Sequence, residues 1–235
     1  MKVLPYLSVK NITDTTAEIY FYGDIVGDEW EKWTDTDKCP QDVIDALKAA
    51  EGKDVDIYIN SPGGSVFAGV AIYNILMRHK GKRTVHVDGV AASIASVIAM
   101  CGDKIIMPSN SCLMIHCPLC LVVGNAKELR KMADDLDTIQ GSIEAVYETK
   151  LAGDTTIDQI REMMDAETWL TATEAAKYFD VEVTEANAAA AKADYMLPKF
   201  KNMPENIKNN ILQAAENEKN KEREKLMLEL ELLGI

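Results

Sequence analysis

The sequence predicts an α/β domain organised around a largely parallel sheet. Two observations carry that prediction. Through residues 43–115, runs of strand pattern alternate with runs of helical period, the order that builds βαβ units. With 235 residues, 47% of them hydrophobic, the chain can bury one sizeable core and a small appendage.

Residues 17–22 (AEIYFY) read as a strand, and 23–40 (GDIVGDEWEKWTDTDKCP) as a polar, turn-rich excursion carrying Trp30 and Trp33. Residues 43–50 have helical period, 55–60 (VDIYIN) alternate as a strand and 61–64 (SPGG) turn. Val66, Val70, Ile72, Ile75 and Leu76 then mark a helix over 66–79. The plan repeats. Residues 84–88 (TVHVD) form a strand, Gly89 opens a turn, and 92–101 (ASIASVIAMC) are apolar almost all round, as in a helix enclosed by a domain. Short strands follow at 104–107 and 112–115. Residues 126–151 read as one long polar helix with Leu129, Met132, Leu136, Ile139, Ile143 and Val146 on one stripe. It exceeds the usual globular length and is expected to project or to pack on a neighbour.

Asp and Glu outnumber Lys and Arg by 38 to 25, a net charge of −13, which argues against general affinity for nucleic acid or anionic membranes. No apolar run reaches the roughly 18 residues of a transmembrane helix. Residues 1–10 (MKVLPYLSVK) lack the apolar stretch and cleavage site of a secretory signal, so a cytoplasmic location is expected. The five cysteines, Cys39, Cys101, Cys112, Cys117 and Cys120, are odd in number and lie mostly in apolar segments; they read as reduced thiols. Residues 199–235 hold seven basic and seven acidic side chains, so the whole charge excess belongs to 1–198. The expected division is a domain at 1–198 and a charged tail at 199–235. Within the tail, 201–210 read as a linker and 214–233 as an amphipathic helix with Leu226, Leu230 and Leu233 on one face. That tail is either a solvated helix or a docking or self-association segment.

Three local patterns could carry chemistry. Residues 60–65 (NSPGGS) place two glycines directly after a strand, where bare backbone can approach a ligand and direct N–H groups at it; the same pattern also serves as a tight connection. Neither GxGxxG nor GxxxxGK[ST] occurs. In 89–96 (GVAASIAS), Ser93 sits where a strand passes into an apolar helix. One reading makes it an N-cap worth about 1 kcal/mol; the other makes it a nucleophile whose developing oxyanion meets nearby amides. A hydroxyl nucleophile needs a base, and the chain has three histidines. His79 ends a polar helix and is expected to be exposed, and His86 lies among charged neighbours. His116 closes the strand 112–115, at the end of an open α/β sheet where sites gather. The third pattern, residues 116–120 (HCPLC), contains a CxxC, but no second pair completes a zinc site and it does not follow a first strand as a redox pair would.

Taken together and in this order, INSPGGS, GVAASIAS, LMIHCP and AETWLTATEA resemble the Clp protease family of self-compartmentalising serine peptidases over residues 55–183. The resemblance implies a spiral of βαβ units, a fold shared with the crotonases, with the family's own long handle helix at 126–151, and a serine protease domain at 1–198. It implies Ser93 as nucleophile, His116 as general base, and Gly64 and Ile94 as oxyanion donors. The family's acid falls two residues before the aromatic of Trp169-Leu170-Thr171-Ala172, hence on Glu167. That is Glu where the family has Asp, and Asp165 is a rival. No cofactor and no metal are implied; a ring-shaped homo-oligomer and a polypeptide substrate are.

Against the housekeeping members, which work with an ATP-driven (AAA+) unfoldase, this chain begins almost directly at its first strand, inserts the Trp30/Trp33 segment and carries a foreign tail. It looks more like the Clp-related proteases encoded beside phage portal and capsid genes, which mature the prohead by cleaving scaffold or coat protein. Two other readings stand beside this one: a crotonase-type acyl-CoA enzyme and a non-catalytic assembly ring. A Ser-Lys dyad through Lys104, in place of His116, is a variant of the serine-peptidase reading.

Overall fold

The computed structural model describes residues 13, 15–186, 202–205, 208, 209, 223 and 227. It has the mixed α/β architecture expected. The strands are β1 (Thr16–Phe21), β2 (Asp54–Ser61), β3 (Arg83–Ala92), β4 (Lys104–Pro108), β5 (Cys112–Ile115), β6 (Thr168–Thr171) and β7 (Glu182–Thr184). The helices are α1 (Pro40–Ala49), α2 (Val66–Met77), α3 (Ile94–Ala99), α4 (Ala126–Glu148), α5 (Ile157–Asp165) and α6 (Ala172–Tyr178). Strands β1, β2, β3, β4 and β7 run parallel in that spatial order, β5 pairs parallel with β3, and β6 pairs antiparallel with β5.

Strand β3 is the hub. Its first half pairs with β4 through Thr84, Val85 and His86, and its second half with β5 through Val90, Ala91 and Ala92. The sequence reading put a turn at Gly89, and the structure corrects it: the strand runs through to Ala92. The register with β2 slips between Ile59 and Ser61, and the Asn60 side chain fills the irregularity by accepting from the Val90 N–H at 3.2 Å. A Cβ on residue 89 would lie 2.7 Å from Asn60 Oδ1. Gly89 therefore marks a close approach inside a strand rather than its end.

The inward residues of β1, β2 and β3, among them Ile19, Phe21, Ile57, Ile59, Val85 and Val87, are fully buried with α3 and the apolar face of α2. A smaller apolar cluster lies apart from this core: Val90, Ala92, Cys112, Met114, Trp169 and Met203. Helix α4 opens with reciprocal bonds between Asn125 and Glu128 and ends three residues short of the expected 151. Only its last turns bury side chains (Ile143, Glu144, Val146, Tyr147); the rest projects, as the stripe pattern allowed. Elements α5, β6, α6 and β7 were not assigned from sequence. The helix expected over 214–233 lies outside the described residues, except that Arg223 is helical and exposed, as is Met227.

Candidate active site

Ser93 follows the last residue of β3 and precedes α3. Its backbone is at φ 54°, ψ −129°, a region a non-glycine residue occupies at a cost of about 1–3 kcal/mol. The N-cap reading does not hold, because the hydroxyl makes no capping bond to α3. It faces His116 instead, with Nε2 and Oγ 2.7 Å apart. The turn is fixed from three sides. The Ser93 N–H donates to the Met114 carbonyl at 2.9 Å, extending the β3–β5 ladder by one residue. The Ser93 carbonyl accepts from Ser96 N–H and Ser96 Oγ, and Ser96 Oγ in turn bonds the hydroxyl of the fully buried Tyr147 at 2.7 Å. This brace from α4 has no local motif and was missed in the sequence.

The glycine turn lies against the same serine. A Cβ on Gly63 (φ 90°) would sit 2.8 Å from Ser93 Cβ and 3.0 Å from the Ile94 nitrogen, and one on Gly64 (φ 145°) 2.1 Å from the Ile25 carbonyl oxygen. Both positions require glycine. Ile25 donates to the Gly63 carbonyl at 2.8 Å and accepts from Ser65 N–H at 2.7 Å. This bridge clamps the turn through its flanking groups and makes no use of the Gly64 N–H. The N–H groups of Gly64 and Ile94 thus belong to two segments that meet at Ser93.

His116 directly follows β5. Burial holds its pKa below the ordinary 6.5, and the Glu167 carboxylate acts in the opposite sense. The imidazole is therefore neutral at neutral pH and able to accept a proton. Glu167 is placed by the β5–β6 register: Ile115 pairs with Thr168, so the residues just beyond that pair, His116 and Glu167, lie at the same end of the two strands. Glu167 has φ 50°, and its Oε1 accepts the Asn202 N–H at 3.1 Å. The rival carboxylate of Asp165 is engaged elsewhere, accepting from the Cys117 thiol at 3.1 Å. Burial and that bond push the Cys117 thiol up to about 12.

The remaining candidates separate from this centre. His79 is half-buried rather than exposed, its Nε2 on the Lys53 carbonyl at 2.8 Å. His86 stacks on Tyr58 and lies 3.2 Å from Asp56. Lys104 sits beside Thr84, nine residues before Ser93 on β3 and so roughly 25–30 Å away, and pairs with Glu182 at 2.8 Å; the Ser-Lys dyad is ruled out by this placement. The metal-like group Glu29, Cys39 and Asp42 encloses the Lys32 ammonium, 2.8 Å from Glu29 and 2.7 Å from Asp42, which already supplies the positive charge.

A family pattern described as Clp protease matches residues 26–181. The chain belongs to the Clp protease family. It is 34% identical over 133 residues to the ATP-dependent Clp protease proteolytic subunit of Porphyromonas gingivalis, covering 55% of this chain and 59% of that one. It is 36% identical over 137 residues to proteolytic subunit 3 of Rhodococcus jostii (56% and 66%), and 34% over 131 residues to the proteolytic subunit of Chlorella vulgaris (54% and 64%). The chain thus spans about three-fifths of the length of these relatives. Among the described residues, no helix is long and apolar enough to cross a membrane.

Proposed function

We propose that this Clp family member is a serine endopeptidase acting on polypeptides. The observation that carries the reading is the 2.7 Å contact between Ser93 Oγ and a His116 ring held neutral by burial. Ser93 Oγ attacks the scissile carbonyl carbon as its proton passes to His116 Nε2. The N–H groups of Gly64 and Ile94 receive the oxyanion. The imidazolium, stabilised by Glu167, returns the proton to the leaving amine, and water repeats the sequence on the acyl-enzyme to free the acid. A crotonase-type thioester reaction would have no use for the Ser-His contact.

The resemblance extends the proposal to a ring-shaped homo-oligomer, with or without an ATP-driven unfoldase. It is supported by the unpacked first half of α4 and by the apolar side chains just before it, Leu119, Leu121 and Val123, exposed by 75%, 99% and 98%, which a lone chain would leave in water. The inserted Trp30/Trp33 segment and the charged tail extend the reading to the phage branch: a cytoplasmic role in prohead maturation, with a scaffold or capsid protein as substrate and residues 199–235 as an appendage to the protease domain at 1–198.

Fluorophosphonate labelling of the native protein tests the core of this reading. A single adduct on Ser93, lost in Ser93→Ala and in His116→Ala, is expected. An assembled oligomer that takes no label across a range of salt and pH would refute an activated serine.

A further inference from the structure

The small apolar cluster has a position as well as a composition. The β3–β5 and β5–β6 registers set Ala92 beside Met114 and Met114 beside Trp169, a row crossing three strands. Each candidate triad residue adjoins that row: Ser93 follows Ala92, His116 lies two after Met114, and Glu167 lies two before Trp169. Met203, from the segment beyond the family match, is buried in this cluster at 5% exposure. Its neighbour Asn202 donates its backbone N–H to Glu167 Oε1 at 3.1 Å.

We infer that Asn202 and Met203 position the triad acid: Met203 is anchored on the Ala92–Met114–Trp169 row, and the Asn202 N–H clamps the Glu167 carboxylate. This inference rests on the serine-peptidase reading. Its physical need is plain. Glu167 is partly exposed, its stem is one methylene longer than that of the Asp usual at this place, and its longer chain has more rotamers to restrict. A bond to one oxygen and an apolar anchor beside it remove that freedom. The segment following the protease domain thus completes the site instead of merely trailing from it.

The clamp is tested in the full-length chain. Asn202→Pro deletes the N–H donor, Met203→Ala removes the anchor, and Met203→Leu keeps it. If the clamp orients Glu167, Asn202→Pro and Met203→Ala lower kcat roughly tenfold, less than the 10²-fold that a misplacement of about 1 Å can cost, with KM little changed. Because Glu167 raises the His116 pKa, losing its orientation also moves the acid limb of the pH–rate profile to lower pH. Met203→Leu should behave as the parent. The same pKa change is read without turnover by NMR titration of His116 in the Ser93→Ala background, where only three histidines contribute signals.

An unchanged His116 titration and acid limb would overturn the inference, as would a fall in kcat with no movement of that limb. If Asn202→Pro fails to fold, the contrast between Met203→Ala and Met203→Leu decides. Failure of the peptidase reading is recognised separately, by a native protein that takes no fluorophosphonate.

Discussion

Ser93 and His116 hang from parallel neighbours, β3 and β5, and their contact is braced from inside the core by Ser96 and Tyr147. Glu167 stands at the opposite edge, just before the four-residue antiparallel strand β6, and bonds an exposed backbone amide. One end of the site is therefore set by the buried sheet and the other by a short surface register. Damage to the first should abolish chemistry, and damage to the second should grade it.

The largest effect is expected at the buried end. His116→Ala should lower kcat by about 10⁴–10⁶-fold, since base and nucleophile act as a unit; a residual rate within tenfold of the parent would show that the 2.7 Å contact is not the reacting pair. At the other end, Glu167→Gln keeps the shape and removes the charge. A loss of about 10²–10⁴-fold is expected, with Asp165→Asn close to the parent because Asp165 serves Cys117. The reverse ranking in a peptide-cleavage assay would transfer the acid role to Asp165.

Gly64→Ala tests the turn that joins Ile25 to Ser93. The added methyl meets the Ile25 carbonyl at 2.1 Å from a backbone at φ 145°, so the turn must move, and loss of one oxyanion donor costs about 10²–10³-fold in kcat. Retained labelling of Ser93 with slow turnover would sharpen the comparison by separating nucleophile activation from oxyanion binding.

Legibility in the sequence follows the same division. Strand and helix alternation up to residue 115 could be read because the helices and the longer strands, β2 and β3, express their periods, and the short β5, CLMI, is a continuous apolar run that follows in the same order. Ser93, His116 and the glycine turn lie at the ends of such runs or between them. Beyond 151 the strands have four and three residues, TWLT and EVT, too short for a period to show, and Glu167 was reached only through motif likeness. The N-cap reading of Ser93 was a sound local inference that a contact 23 residues away overrode. Gly89 misled for a similar reason, because the Asn60 side chain that demands it lies on another strand. The Asn202 and Tyr147 contacts carry no local signal at all.

A smaller effect is expected on pH dependence. The base must be neutral, and burial depresses the His116 pKa, so kcat/KM should rise with pH and reach half its plateau below pH 6.5, the ordinary His value. Stability follows with the same sign: below pH 6.5 the unfolded chain takes up this proton before the folded one, so stability falls as pH drops through that range. Glu167→Gln removes the opposing charge and should carry the midpoint lower still. A midpoint above 6.5 would mean that the carboxylate outweighs burial, making the acid the stronger influence on the base.

The smallest expected change is at Tyr147→Phe, which sharpens the comparison from inside the core. The hydroxyl bonds Ser96 Oγ, which also holds the Ser93 carbonyl, and Phe fills nearly the same volume. Loss of this bond should cost about 1 kcal/mol of stability, measured by chemical denaturation. Ser96 keeps its bond to the Ser93 carbonyl, so the nucleophile stays in place and kcat should fall only a few-fold. A loss as large as that of Glu167→Gln would mean that the brace, and not the strand pairing, sets the Ser93 backbone; an unchanged kcat with the expected loss of stability would assign Ser93 placement to β3 and β5 alone.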